Sequence, residues 1–196
     1  MTDPEATKRA LLDAGRAEFA AYGLAGARTD RVAATSGVNK QRIYAYFGSK
    51  EGLFQAVLSD ALDSLLGLVP FPEGDLPLEE FLASYVRSVG AYHLEHPQLL
   101  RLLQWEALEL GPVGVVSDER ARFYQEKVSG FAAVLDIPVE DAAPLLFGAI
   151  GVAAWPHVMP QLGALILGGE NAVSRARRWA EGAAARLAPV AVSAAL

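Results

Sequence analysis

Apolar residues recur at helical steps throughout this 196-residue chain, and this feature restricts the possible fold more than any other. In the first segment Leu12, Gly15, Phe19 and Tyr22 follow one another at intervals of three or four residues, the spacing of one face of an α-helix. No run of β-branched residues alternates with polar ones between turn signals, as a half-buried strand requires. We therefore predict an all-α fold.

Capping residues, glycines and prolines set the predicted helix boundaries. Four helices are predicted in the N-terminal part: one from Asp3-Pro4 to Gly23, one capped by Thr29 and running through Ser36, one capped by Asn39 and running through Phe47, and one capped by Ser49 and running to about Leu66. A loop is predicted at 70–77, which is rich in proline. Further helices are predicted at about 78–95, 97–110, 118–135, 140–155 and 171–187, followed by a frayed C-terminal tail.

Composition narrows the class of protein. Apolar residues make up 52% of the chain and charged residues 20%, which favours a folded globular protein over a disordered one. Cysteine is absent, so disulfides, thiolate metal sites and cysteine nucleophiles are excluded. The start of the sequence lacks a basic segment followed by an apolar run, and we expect a soluble, cytoplasmic protein.

Residues 142–169 contain no Asp, Glu, Lys or Arg and are long enough to be considered as a membrane span. Pro144, Pro156 and Pro160 interrupt this stretch and would leave backbone groups unpaired in lipid. We interpret it as a buried helix or a subunit interface and expect no membrane partner.

Charge is distributed unevenly along the chain. The net charge is −6, but residues 1–52 contain eight Lys or Arg and six Asp or Glu, which gives that segment +2 and leaves −8 for the remainder. Between Arg28 and Lys50 there are five basic residues and one acidic residue. A local basic segment in an acidic protein is typical of a nucleic-acid contact surface.

The basic segment also carries the pattern of a helix-turn-helix. Gly37 can adopt the left-handed conformation that ends one short helix, and Asn39 can cap the next. Ala33 is small where two helices would cross, while apolar Val32 and Ile43 can lock the pair against the first helix. An exposed basic corner of an ordinary helical protein is the alternative interpretation.

A helical wheel of residues 40–47 separates a core side from a polar side. Ile43, Tyr46 and Phe47 fall together on the core side, and the opposite side is centred on Gln41 and Ala45. Gln can pair with adenine, Arg with guanine, and an Ala methyl can rest on thymine, so Gln41 and Arg42 are candidate base-reading residues. Five residues are candidates for phosphate contacts, because they lie at the rim or beside helix starts: Lys40, Tyr44, Arg28, Thr29 and Lys50.

The run TDRVAATSGVNKQRIYAYFGSKEGLF, from Thr29 to Phe54, resembles the N-terminal signature of the TetR family of regulators almost position for position. The resemblance extends over about residues 8–56, whereas the C-terminal part resembles the family only in length, helicity and order. Gln41 and Arg42 depart from it, because family members often have small residues there. The operator sequence of a relative therefore does not transfer to this chain.

The resemblance implies a homodimeric repressor whose two recognition helices enter successive major grooves of a palindromic operator, and a small-molecule effector that weakens DNA binding. It places DNA contacts at Thr29, Asn39, Lys40, Gln41, Arg42, Tyr44, Tyr46 and Lys50. For Tyr46 the wheel favours the core side and the family pattern a phosphate contact, and both remain open. The predicted domains are a three-helix DNA-binding domain at 1–50 and a larger helical effector-binding and dimerisation domain at 51–196.

The second domain offers candidate sites for an effector and for dimerisation. Aromatic residues on its helices, with a few polar groups, fit a mostly apolar pocket. The candidate pocket residues are Phe81, Tyr85, Trp105, Glu106, Phe123, Phe147, Trp155 and His157, with Trp105 and Phe147 as the leading ones. Small residues at helical spacing suggest a dimer interface that contains Gly148, Gly151, Val173, Ala176, Ala180, Ala183 and Leu187.

Other kinds of site are weighed and set aside. His93 and His96 are one turn apart, but Pro97 ends their helix, so we expect no metal site. The sequence contains no glycine-rich phosphate loop and no serine nucleophile motif, so neither an enzyme nor a cofactor is expected. Two alternatives to an effector-controlled repressor remain: a DNA-organising protein without an effector, and an enzyme or carrier with an incidental helical front.

Overall fold

The computed structural model describes residues 3–111, 118–168 and 171–187. All regular structure in these residues is α-helical, which confirms the predicted fold class. The predicted C-terminal tail lies outside the described residues. The helices are α1 (Pro4–Gly26), α2 (Thr29–Ser36), α3 (Lys40–Phe47), α4 (Lys50–Leu68), α5 (Leu78–Glu95), α6 (Gln98–Leu110), α7 (Asp118–Leu135), α8 (Val139–Val158), α9 (Pro160–Leu167) and α10 (Ala172–Ala185).

The described chain divides into two units. The first contains residues 3–67 and 97–111, and the second contains residues 68–96, 118–168 and 171–187. The domain boundary predicted at residue 50 falls at the first residue of α4, a helix that lies almost wholly in the first unit. Helix α6 also belongs to this unit, because it packs along α1.

The first unit is built on α1, which packs against α2 and α6. Phe19 of α1 and Phe54 of α4 are both buried and meet edge to face, with their ring centroids 5.2 Å apart. A Cβ atom at Gly15 would lie 2.9 Å from Val57, so the glycine permits α1 and α4 to approach closely. Asp60 of α4 forms ion pairs with Arg9 and Arg16 of α1 on the outside of this crossing.

The second unit is built on α5, which packs against α8 and α10. Phe81 and Tyr85 of α5 are buried against Phe131 of α7, with ring centroids 5.6 and 6.0 Å from that of Phe131. Phe71, from the loop before α5, completes this aromatic group at 5.4 Å from Phe131. Burial of these four rings supplies much of the apolar core of the unit.

Two helix predictions were wrong at prolines: the end of α8 and the existence of α9. Helix α8 was expected to stop at residue 155, but it continues through Pro144 and Pro156 to Val158. Pro156 lacks one backbone N–H, yet it is buried with Ala153 on the side of α8 that faces α5, and this packing offsets the lost hydrogen bond. Helix α9 was not predicted at all; Pro160 occupies its first position, where a missing N–H costs nothing.

Candidate nucleic-acid interface and ligand site

The turn between α2 and α3 fixes the orientation of α3. Gly37 ends α2 with φ of 67° and ψ of 13°, the left-handed conformation that favours glycine. Asn39 caps α3, because its side-chain oxygen accepts a hydrogen bond of 2.9 Å from the amide of Gln41. Val32 of α2 and Ile43 of α3 are fully buried. These contacts hold α3 with its opposite side directed outward.

The outward side of α3 carries the residues predicted to read DNA bases. Gln41, Arg42, Tyr44 and Ala45 are all exposed. Within the described residues, the side chains of Gln41 and Arg42 form no hydrogen bond or ion pair, so both are available to a ligand of α3. A short capped helix that presents an amide and a guanidinium side by side is suited to base edges in a major groove.

Lys40 and Lys50 are already engaged by the protein. The ammonium of Lys40 lies 2.8 Å from a carboxylate oxygen of Asp30 on α2, and the hydrogen bond to Asp30 raises the pKa of Lys40. The ammonium of Lys50 donates to the carbonyls of Ala25 and Ala27, each at 3.4 Å, at the C-terminal end of α1. Both ammonium groups therefore have fixed positions at the edges of α3.

The hydroxyl groups near α3 make longer contacts. Thr29 Oγ1 and Tyr44 Oη lie 3.4 Å apart, and Tyr46 donates to the carbonyl of Pro4 at 3.4 Å. Tyr46 is exposed, so of the two positions left open for it the surface is the one observed: the phenol lies beside the first turn of α1. Thr29 is the first residue of α2 and not its cap; Arg28 occupies the cap position, without a side-chain capping bond.

Glu18 organises the start of α2, a role that the sequence did not reveal. Its carboxylate accepts hydrogen bonds of 2.8 Å from the amide of Arg28 and from Nε of Arg31. Burial acts to raise the pKa of Glu18, but the hydrogen bonds from Arg31 and from the Arg28 amide outweigh burial and lower it. Arg31 also lies over the ring of Tyr22 at 4.3 Å. Arg31, although it belongs to the basic segment, is therefore bound by residues of α1.

The end of α1 is interrupted at Gly23, where φ is 68° and ψ is −176°. Side chains of α6 contact the backbone groups at this kink. Glu109 accepts hydrogen bonds from the amides of Leu24, at 2.7 Å, and Ala25, at 3.1 Å, while Trp105 Nε1 donates to the carbonyl of Ala20 at 3.4 Å. Trp105 was the leading candidate for the effector pocket, but its indole lies on α1 within the first unit.

The other predicted pocket residues occupy different environments. Glu106 is buried on α6 in the first unit, and Phe123 is half-buried beside Tyr124. Phe147 is 82% exposed, so it does not line an internal pocket of this chain. Trp155 is half-exposed in a surface groove. Phe81 and Tyr85 lie in the aromatic core of the second unit, and His157 faces α5 beside Gly90.

Buried polar groups without partners collect around α5 in the second unit. Tyr85 Oη, His93 Nδ1 and His157 Nε2 are buried and have no hydrogen-bond partner among the described residues. The rings of His93 and His157 are 6.0 Å apart. Burial lowers the pKa of both histidines, that of His93 to about 4. Lys127 of α7 is only 7% exposed, and its ammonium lies 5.6 Å from the ring of Tyr85.

The sequence contains a signal for Lys127 that went unused. Tyr124, Lys127 and Phe131 lie at helical steps on α7, so the lysine occupies a core position in an apolar stripe. His93 was considered only together with His96 as a metal site. Among the described residues, no group of three or more His, Asp or Glu side chains is arranged to hold a metal ion.

The predicted dimer residues divide between the core and the surface. Ala176 and Ala180 are buried within the unit, and Gly148 packs against Leu187 of the same chain. Ala183 and Leu187 are half-buried, while Gly151 and Val173 are exposed. A surface that the prediction did not include lies nearby: Trp155 of α8 and Trp179 of α10, each 48% exposed, line a groove with a volume of about 210 Å³.

In the part of the chain that the structure describes, no single helix combines the length and apolar character needed to cross a bilayer. Such a length and composition occur there only in a pair of segments joined at a 105° bend, Arg120–Leu135 and Val139–Val158.

Comparison with known proteins agrees with this geometry. Residues 11–57 match the family described as bacterial regulatory proteins, tetR family, and residues 82–186 match the tetracyclin repressor-like C-terminal domain. The chain is 41% identical over 178 residues to the HTH-type transcriptional repressor SCO4008 of Streptomyces coelicolor, which covers 87% of this chain and 88% of that protein. It is 36% identical over 109 residues to the HTH-type transcriptional regulator RutR of Escherichia coli, about half of each chain.

Solved structures show the same architecture. The transcriptional regulator SCO4942 of Streptomyces coelicolor superposes with a TM-score of 0.72 at 25% identity and covers 92% of this chain and 97% of its own. A TetR variant from Acinetobacter baumannii in complex with minocycline has a TM-score of 0.61 at 14% identity, a likeness of fold alone, and covers 95% and 96% of the two chains. The chain therefore belongs to the TetR family of helix-turn-helix transcriptional regulators, a family of DNA-binding proteins and not of enzymes.

Proposed function

We propose that this protein is a homodimeric repressor that binds a palindromic operator through α3 of each subunit and leaves it when a small effector binds the second unit. One observation carries the proposal: α3 is held rigidly by Gly37 and Asn39 while the Gln41 and Arg42 side chains remain exposed and unpaired. Repression as the direction of control is supported by the name of the 41% identical relative.

The proposed DNA contacts fall into two classes. Gln41 and Arg42 read base edges, because they project from the middle of the outward side of α3. The remaining residues position the phosphate backbone from the rim of α3, from the start of α2 and from the start of α4: Arg28, Thr29, Asn39, Lys40, Tyr44, Tyr46 and Lys50. Lys40 exchanges its bond to Asp30 for a phosphate in this arrangement, since both side chains are exposed.

A symmetric dimer follows from the proposed operator. Four residues form what we name the α8/α10 face, which is apolar and exposed: Phe147, Gly151, Trp155 and Trp179. Exposed tryptophan and phenylalanine on adjacent helices are typical of a surface covered by another subunit. A helix-turn-helix dimer on a palindromic operator contacts half-sites one helical turn apart, about 34–36 Å.

The effector is proposed to bind within the second unit, where Tyr85, His93 and His157 leave polar atoms unpaired in an apolar surrounding. An effector can release DNA only through a difference in its affinity for the two conformations, typically 1–3 kcal/mol or about 5- to 150-fold in operator affinity. The protein is proposed to act in the cytoplasm, where bacterial DNA lies, without a cofactor.

The test begins with selection of an operator from a random duplex library, followed by binding and footprinting of the selected sequence. We expect a two-fold symmetric site bound by one dimer, and a loss of sequence preference in the double variant Gln41→Ala, Arg42→Ala. The control is Gln125→Ala, an exposed change on α7. Selection of no preferred sequence, or of a site without symmetry, would contradict the proposal.

A further inference from the structure

Three polar side chains are buried inside the second unit, and we name them the donor cluster: Tyr85 and His93 of α5 and Lys127 of α7. All three are more than nine-tenths buried. Tyr85 and His93 are eight residues apart on α5 and lie on the same side of the helix, about 12 Å apart along its axis. The Lys127 ammonium is 5.6 Å from the Tyr85 ring, and its charge contributes to the lowered pKa of His93.

Among the side chains that the structure describes, no acidic group neutralises the positive charge of Lys127. Among the described residues it forms no ion pair and no hydrogen bond, and its nearest charge-stabilising groups are the rings of Tyr85 and Phe71 at 5.6 and 5.9 Å. Burial lowers the pKa of Lys127 to about 8, so the amine is still mostly protonated at pH 7. A buried ammonium without a counter-charge is unfavourable unless a ligand supplies that charge.

The two partners of Lys127 in the donor cluster offer protons. Burial raises the pKa of Tyr85, so its hydroxyl stays protonated and can donate. Burial also lowers the pKa of His93 to about 4, so the imidazole is neutral at pH 7 and carries one N–H. The Tyr85 hydroxyl and His93 Nδ1 have no partner among the described residues. A protonated hydroxyl near an ammonium suits a carboxylate, and the imidazole adds a further donor on the same side of α5.

The surroundings of the donor cluster are aromatic. Phe71, Phe81 and Phe131 pack with Tyr85, and their ring centroids are 5.4 to 6.0 Å from their neighbours. An apolar wall next to charged and polar donors binds an amphipathic molecule better than a fully hydrated inorganic ion, because the wall gains from the removal of apolar surface from water.

We propose that the donor cluster binds the carboxylate of a small organic acid with an apolar body, and that an acid of this class is the effector. This inference rests on the proposed release of DNA by an effector and adds its chemical class. Lys127 is the counter-charge, Tyr85 is the hydrogen-bond donor to the carboxylate, and His93 is a second donor farther along α5. A neutral molecule of the same shape would leave the ammonium unpaired.

The probes for the test are benzoate, phenylacetate and octanoate, each compared with its uncharged amide, together with inorganic phosphate. Thermal shift and titration calorimetry measure their binding to the full-length protein, and fluorescence anisotropy measures release of the selected operator. We expect at least one acid to bind at least tenfold more tightly than its amide and to weaken operator binding. Phosphate is expected not to bind.

Two variants test the assignment of residues. Lys127→Met keeps the length and apolar stem of the side chain, and we expect it to lose at least tenfold in acid affinity. Tyr85→Phe retains the ring, and we expect a smaller loss of acid affinity than in Lys127→Met. Circular dichroism melting checks that both variants fold; if Lys127→Met does not fold, Tyr85→Phe must weaken acid binding at least threefold for the proposal to stand.

The proposal is overturned if none of the acids binds, if an amide binds as tightly as its acid, or if Lys127→Met binds acids normally. Binding of phosphate as tightly as benzoate would also overturn it, since the site would then be a general anion site. These failures are separate from failure of the proposed function. A protein that selects a symmetric operator and is released by a neutral compound refutes the acid effector alone, whereas a protein that selects no operator refutes the repressor.

Discussion

The carboxylate of Glu109 accepts a hydrogen bond of 2.7 Å from the amide of Leu24, directly after the residue at which helix α1 is interrupted. The kink at Gly23 removes the regular helical partner of this amide, and a side chain of α6 replaces it. Trp105, one turn before Glu109, donates to the carbonyl of Ala20 on the other side of the kink. Helix α6 is thereby tied to α1 by backbone groups that the kink leaves free.

Removal of the Glu109 carboxylate is expected to destabilise the first unit. In Glu109→Ala the amides of Leu24 and Ala25 lose their acceptor, and loss of a charged hydrogen-bond acceptor at a partly buried site costs about 1–3 kcal/mol. Urea unfolding, followed by circular dichroism, measures the change. Glu126→Ala, an exposed site on α7, should change the free energy of unfolding by less than about 0.5 kcal/mol. Equal effects of the two substitutions would show that the Glu109 contact contributes nothing.

Gly23 itself is expected to tolerate no side chain. Its φ of 68° is unfavourable for other residues, and a Cβ atom there would lie 2.6 Å from Glu109 Oε1 and 2.8 Å from the indole of Trp105. Gly23→Ala should therefore lower the free energy of unfolding by more than about 1 kcal/mol. The matched control is Gly67→Ala near the end of α4, where a Cβ meets nothing within 4 Å and alanine should stabilise the helix. A stabilised Gly23→Ala protein would contradict the kinked geometry.

Arg42 and Lys50 should respond differently to substitution by alanine. Arg42 is unpaired on the outward side of α3, and its loss should cost about 1–3 kcal/mol on the selected operator and relax preference at one base position. Lys50 lies beside α3, at the start of α4, and donates to carbonyls at the end of α1. Lys50→Ala should therefore weaken binding to all duplexes alike and reduce the salt slope by about one. Anisotropy titrations on selected and random duplexes measure both. A base-reading role for Arg42 fails if its variant loses equally on the two duplexes.

The α8/α10 face is expected to hold the dimer together. A carboxylate in Trp155→Glu would be buried without a partner in a symmetric interface, so this variant should sediment as a monomer at micromolar concentration and lose operator affinity. Leu94→Glu introduces the same charge at another exposed apolar residue, on α5, and should remain dimeric. Sedimentation velocity separates the two outcomes. A dimeric Trp155→Glu protein would move the interface elsewhere.

Local signals in the sequence predicted several helix boundaries, because these signals act over a few residues. Gly37 and Asn39 end and begin helices through their own backbone and side-chain bonds, and α5 and α7 have the bounds that their flanking residues predict. Pro156 was misread because a proline ends a helix only when packing does not offset the lost bond, and packing is a property of the fold.

The residues of the candidate ligand site could not be predicted from local sequence signals. Aromatic residues at helical spacing do not reveal which of them face inward, and so Trp105 was assigned to a pocket although it lies on α1, and Phe147 although it is exposed. The polar atoms of Tyr85 and His93 become informative only once the structure shows that they have no partners. Lys127 is the exception, since its position in the apolar stripe of α7 is visible in the sequence.

The stability of the protein is expected to depend on pH through Lys127. Burial lowers the pKa of this amine from 10.5 to about 8, so between these values the unfolded chain binds more protons than the folded one. The free energy of unfolding should therefore rise as the pH is raised from 8 to 10.5, and the unfavourable contribution of the buried charge is fully present below pH 8. Lys127→Met has no such charge, so it should be the more stable protein at pH 7.5, and the difference should narrow by pH 10.

Urea unfolding of both proteins at pH 7.5 and pH 10 measures this difference, and other groups that titrate in the same range cancel in the comparison. If the difference in the free energy of unfolding between the two proteins does not change with pH, the Lys127 ammonium is as well solvated in the folded protein as in the unfolded one. Saturation with an acid that binds the donor cluster supplies the missing negative charge and raises the pKa of Lys127. The rise in the free energy of unfolding of the wild-type protein should then occur at higher pH. This shift links the stability measurement to the proposed ligand.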